Sequence, residues 1–164
     1  MFTTVNDFLQ EWKQEAAVTQ KVLDAMTDES LKQEVSPGLY SIGSVAWHIT
    51  GAAYYFPSQV GITFEAPDLR KDAPASAAEI SGTYTTVSQR LVEAVSEQVS
   101  DEKMNEMVNL FGMDMPIQAV FRLLIQHQAH HRGQLTVLMR QAGLKVPGVY
   151  GPSKEESEAM KAQK

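Results

Sequence analysis

Apolar residues recur at helical spacing in four long stretches of this chain, and each stretch is bounded by a cap or a breaker. In the first, Val5, Phe8, Leu9, Trp12, Ala16, Leu23 and Met26 fall on one face, behind a Thr4-x-x-Asp7 capping signature. The second starts near Ser41 as N-cap and carries Val45, His48, Ile49, Ala52, Tyr55 and Phe56. The third opens on Ser76-x-x-Glu79 and runs through Ile80, Tyr84, Val87, Leu91, Ala94 and Val95. The fourth follows Pro116, which suits the first position of a helix, and ends before Gly143. Its stripe is Val120, Leu124, His127, His131, Leu135 and Leu138. No convincing strand alternation competes with these patterns. Four such faces must bury themselves against one another, which predicts an all-α four-helix bundle, a single domain over residues 1–164. Pro57 to Pro74 reads as a long crossover, of a length that can join helices that are not nearest neighbours. Leu110 to Asp114 reads as a loop or weak hairpin. Ser153-x-x-Glu156 reads as the start of a short, charged C-terminal helix.

Composition narrows the chemistry. The net charge is −6 with no long run of one sign, which argues against a nucleic-acid or anionic-membrane surface. No run of about 18 apolar residues is present, so no membrane span is expected. The start, MFTTVNDFLQEW, has neither the basic nor the apolar region of a secretory signal, and a cytoplasmic location is the default expectation. There are no cysteines, so the chain has no thiolate ligand or nucleophile of its own. A bound metal must be held by His, Asp, Glu or water.

Three of the four histidines lie in the segment HQAHHRGQ, residues 127–134. His127 and His131 are four apart, which stacks them on one helical face about 6 Å apart along the axis. Two imidazoles so placed can reach one ion at about 2.0–2.1 Å each. A lone inward histidine such as His48 is ordinarily a satisfied core residue. Buried imidazoles without partners, however, carry a desolvation cost of order 1–3 kcal/mol each, which a shared ion removes for one nitrogen of each ring. His48, His127 and His131 all sit on core-facing stripes, and together they form the candidate metal-ligand set. His130 falls off the stripe and is expected beside the ligands or at an interface.

Other metal patterns fail on their residues. Gln128 follows His127 where a His-Glu-x-x-His protease carries its glutamate base. Di-iron bundles use Glu-x-x-His, which this chain lacks. A mononuclear three-histidine site is left, with positions open for water or substrate. Imidazole suits zinc, nickel, iron and copper, and the sequence does not choose among these or manganese. Met104, Met107, Met113 and Met115 read as core and loop filling. Tyr54 and Tyr55 are near the expected pocket, with packing as the simpler role for either.

Gly43-x-x-x-Trp47-His48-Ile49 and His127-x-x-His130-His131-Arg132-Gly133-Gln134, with Val146-Pro147 and Tyr150-Gly151-Pro152-Ser153 near the end, resemble the DinB-like (YfiT/DinB) superfamily across nearly the whole chain. The resemblance implies an up-down-down-up bundle, a homodimer, and a divalent ion held by His48, His127 and His131. His130 matches a family position that is not usually a ligand. Activities within the family include S-transfer from bacillithiol or another low-molecular-weight thiol, and mycothiol-dependent isomerisation. The implied function is a metal-dependent S-transferase acting on small-molecule electrophiles. Lacking cysteine, the protein would take its thiol from a cofactor. A metal-dependent hydrolase and a non-catalytic metal-binding stress protein are the alternatives. Gly133 within a helix costs about 1 kcal/mol against alanine, so a close helix or subunit contact is expected there.

Overall fold

The computed structural model describes residues 2–163. Its long helices are α1 (Val5–Asp24), α2 (Ile42–Gln59), α3 (Ala77–Gln98) and α4 (Ile117–Gln141), followed by a short α5 (Lys154–Ala162). A two-stranded antiparallel hairpin, β1 (Met107–Leu110) with β2 (Met113–Pro116), precedes α4. The caps form where the sequence signals them. Thr4, Ser41 and Ser153 each accept from the backbone N–H three residues on, with a reciprocal side-chain contact. Ser76 accepts from Glu79 N, but the Glu79 side chain makes no reciprocal contact, so the expected capping box forms only in half. At the end of α4, Gly143 has φ 78°, and Leu144 N donates to Met139 O while Gly143 N donates to Arg140 O. That is a Schellman cap, which needs the left-handed conformation glycine takes without strain.

The side-chain contacts fix the topology. Glu11 pairs with Arg122 and Glu15 with Arg132, so α1 and α4 run parallel. Trp12 meets Ser88 and Gln20 meets Ser81, so α1 and α3 run antiparallel. His48 faces His131 and Phe56 faces His127, so α2 opposes α4. α2 and α3 are therefore parallel, and the bundle is up-down-down-up. The crossover between them does not join distant helices. It joins parallel neighbours, and must be long because it travels back along the bundle. Pro57 lies within α2, not at its end, and is itself buried. Its missing N–H is tolerated in the last turn, where Val60 N and Ile62 N both donate to Pro57 O at 3.1 Å.

The core centres on Phe8, Trp12, Leu23, Ile49, Ile80, Leu91, Phe121 and Leu135. On α4 the buried stripe runs through Gln128 and Arg132, not through His127 and His131. Gln128 and Arg132 are each 1% exposed. Arg132 Nη1 donates to Glu15 O at 3.1 Å and Thr19 Oγ1 at 2.9 Å, and Nη2 donates to Glu15 Oε2 at 2.8 Å. Tyr84 donates to Gln128 Oε1 at 2.5 Å. Helical spacing alone puts glutamine and arginine outside; the ion pair with Glu15 and the phenol let them in. The hairpin turns through Phe111 (φ 54°) and Gly112 (φ 81°). Positive φ at both central positions is the twist-matched two-residue turn, and at phenylalanine it costs of order 1–2 kcal/mol.

Candidate metal centre

His48 comes from the middle of α2, and His127 and His131 from successive turns of α4. One ligand nitrogen from each lies within 4.8 Å of the other two, and among the described residues this group could hold a metal ion. Ring centroids are 4.8 Å apart for His48–His127, 4.5 Å for His48–His131 and 4.4 Å for His127–His131. His48 Nε2 and His127 Nε2 are 3.0 Å apart. Two nitrogens on one tetrahedral ion at about 2.0–2.1 Å lie roughly 3.3 Å apart, so the set fits an ion with little adjustment. The three rings expected to converge do lie together, but nearer the surface than their helical stripes suggest. His48 is exposed, and His127 and His131 are half-buried beside the core stripe.

Electrostatics favour neutral rings with free lone pairs. Burial, then the neighbouring His131 and His48, hold the His127 imidazole down at about 4. Burial, then His131, lowers His48. Burial also lowers His131, against a hydrogen bond that its ring donates to Gln134 Oε1, which favours its charged form. Gln134 is the residue whose role the sequence reading missed. Its Oε1 is 2.8 Å from His131 Nδ1, and its Nε2 is 3.1 Å from His130 Nε2. With the carbonyl accepting from Nδ1–H, the His131 Nε2 lone pair is left for an ion. The signal was present: Gln134 lies three residues after His131 and four after His130, on a shared helical face. His130 is exposed and stands beside the ligand set, its ring 4.9 Å from that of His131. His127 Nδ1 is buried without a hydrogen-bond partner. Its ring is positioned by packing on Phe56, at 5.2 Å.

His48 and His127 border an open cleft of about 770 Å³, within the usual range for a small-molecule site. One wall is α2. The other is the crossover, held to α2 where Trp47 Nε1 donates to Lys71 O at 2.8 Å. Tyr55 is exposed in the cleft, whereas Tyr54 is half-buried and packs edge-on to Phe64 at 5.2 Å. Met104 is buried in the core, and Met107 and Met113 are exposed on the hairpin, so these methionines fill structure and line no part of the cleft. A Cβ on Gly133 would meet nothing within 4 Å, so no neighbouring helix makes a close contact there.

An up-down-down-up bundle presenting three histidines from its second and fourth helices, so placed that they could hold a metal ion, defines the class of protein. The DinB family model matches residues 1–164, and the chain belongs to the DinB family. It is 47% identical over 156 residues to the uncharacterized protein YrdA of Bacillus subtilis (strain 168), covering 95% of this chain and 93% of that one. The fold is similar to the crystal structure of a DinB-like protein from Bacillus cereus ATCC 10987, with a TM-score of 0.87 and 46% identity, over 92% of this chain and all of that one. The DinB-like protein YjoA of Bacillus subtilis shares the fold at a TM-score of 0.69 and 18% identity, over 87% of this chain and 96% of that one.

Proposed function

We propose that this protein is a metal-dependent S-transferase that joins a low-molecular-weight, bacillithiol-like thiol to small electrophiles. The observation that carries the reading is three imidazoles from two helices converging beside an open cleft. His48, His127 and His131 would hold the ion, zinc being the simplest choice for an all-nitrogen set. A divalent ion supplies Lewis acidity there, favouring the ionised form of a thiol near pH 7.

The chain's own residues do the rest. Gln134 fixes the tautomer of His131, and Phe56 positions the ring of His127. The crossover, pinned by Trp47, forms the far wall of the cleft. The new bond is between the thiol sulfur and an electrophilic carbon; the thiol proton leaves to solvent, and the bond from that carbon to its leaving group breaks, the group departing with the electron pair as an anion, chloride in the case of monochlorobimane. The chain has no cysteine, so the sulfur comes from a second substrate. Hydrolysis is less well supported: among the described residues no carboxylate hydrogen-bonds to the three imidazoles. The outward face of α4, with Gly133 unobstructed and Val137 exposed, suits close approach by a second copy as a homodimer.

The test uses protein purified without a chelating tag. Elemental analysis should give one divalent ion per chain, lost in His131→Ala. Monochlorobimane should be conjugated only when a thiol is supplied, and not after dialysis against a chelator. Turnover without any thiol would replace the transferase reading with the hydrolase.

A further inference from the structure

The hairpin tip combines two features that packing does not explain. Phe111 has a positive φ of 54°, the one such non-glycine residue among those described. Its side chain is 64% exposed. Asparagine would suit the first position of this turn, and Gly112 already fills the second. The ring is thus what Phe111 adds, and the ring leans over the cleft.

There it meets Tyr55 nearly parallel, at 6.2 Å and 22°. The core pair Phe8–Phe121 shows what a closed stack looks like in this protein, at 4.2 Å and 10°. The Tyr55–Phe111 pair is looser, and both members are exposed. Phe56 stands edge-on to Phe111 at 6.4 Å and touches the ring of His127 at 5.2 Å. An aromatic path therefore runs from the hairpin tip to a candidate ligand. The charged residues lining the cleft, Asp68 and Arg70, pair with each other at 3.0 Å. The two charges cancel, so the rim carries no net charge there, while the rest of the lining is mostly apolar and aromatic.

We propose that Phe111 and Tyr55 form a selectivity wall for an uncharged, flat apolar ring on the substrate, holding the ring between hairpin and α2 while its reactive end lies toward the histidines. This rests on reading the cleft as the substrate site, and it names the substrate class: small electrophiles bearing an aryl or similar planar group. Near-parallel and edge-on faces are the geometries aromatic groups prefer. The concave setting beside the histidines favours a small molecule over a protein partner.

The probes are imidazole and 4-phenylimidazole, which differ by one phenyl ring. Each is titrated calorimetrically into the full chain, first stripped of metal and then loaded with zinc. The native chain should bind 4-phenylimidazole at least about tenfold more tightly than imidazole in both forms. Phe111→Gly, which suits the turn's backbone, should cut that ratio to below about threefold without lowering the melting temperature. Tyr55→Ala should act likewise from the facing wall, and Phe111→Tyr should restore the preference. An undiminished ratio in Phe111→Gly, or no preference in either form of the native chain, overturns the proposal. So does loss of a dimer in Phe111→Gly on sedimentation with the ratio intact, which makes the ring a subunit contact. If zinc tightens neither probe, the metal reading fails while the preference of the stripped chain still supports the wall.

Discussion

Each of the three imidazoles is held differently, and the differences have consequences. His131 is oriented by a hydrogen bond to Gln134, His127 by packing on Phe56 together with a 3.0 Å contact between its Nε2 and that of His48, and His48 by that contact alone at an exposed position. Removing the support of His131 tests the arrangement without touching a ligand. Gln134→Ala should weaken zinc binding by about tenfold, the low end for an outer partner because Gln134 is exposed and water replaces part of its role. His130→Ala should cost less, since His130 only steadies Gln134 from the far side. Competition titration with a chromophoric chelator reads both. The pH dependence follows from the depressed imidazoles. The folded, metal-free chain holds His127 near 4, whereas an unfolded chain returns it to about 6.5. The unfolded state therefore binds more protons between those values, and stability present above pH 6.5 is lost as the pH falls toward 4. Urea midpoints across this window should fall more steeply for the native chain than for His127→Gln. Equal slopes would show that these rings are not held neutral.

At the scale of elements, the sequence showed the ends of helices better than their faces. Thr4, Ser41, Ser153 and Gly143 carry local chemistry that does not depend on the rest of the fold, so their caps could be read in advance. Gly143→Ala should therefore destabilise the protein by about 1 kcal/mol, measurable by urea unfolding, because alanine must adopt φ near 78°. Gly82→Ala, inside α3 with open space around its Cβ position, should have the opposite sign. The faces were harder. On α4 the apolar pattern tracks His127 and His131, yet Gln128 and Arg132 occupy the centre, because Glu15, Thr19 and Tyr84 on other helices accept or donate to them. No spacing rule within α4 reveals partners on α1 and α3. Pro57 falls in the last turn of α2, where the helix ends two residues later, so the bond its missing N–H forgoes is one near the helix end. The hairpin was half visible: Gly112 marked a turn, but a phenylalanine beside it hid the twist that pairs the strands.

For the whole molecule, the histidines could be found and their convergence could only be expected, since His48 and His127 are 79 residues apart. What brings them together is the order of the bundle, and one buried ion pair helps fix that order. Arg132 and Glu15 join α4 to α1 with side chains 1% and 13% exposed. Glu15→Ala should cost about 3 kcal/mol or more, because it strands a buried guanidinium. Glu155→Ala breaks a solvent-exposed pair with Arg140, and should cost far less. Comparable losses in the two variants would mean that water reaches Arg132.

Both tryptophans are now placed, and their placement gives the protein two optical reporters with different jurisdictions. Trp12 is fully enclosed and donates to Ser88, so its emission changes only when the bundle opens. Trp47 borders the cleft one residue from His48, within reach of quenching by a paramagnetic ion such as copper or nickel. Replacing either indole by phenylalanine isolates the other's signal, so occupancy of the histidines and integrity of the fold can be followed separately in one cuvette, with no label attached.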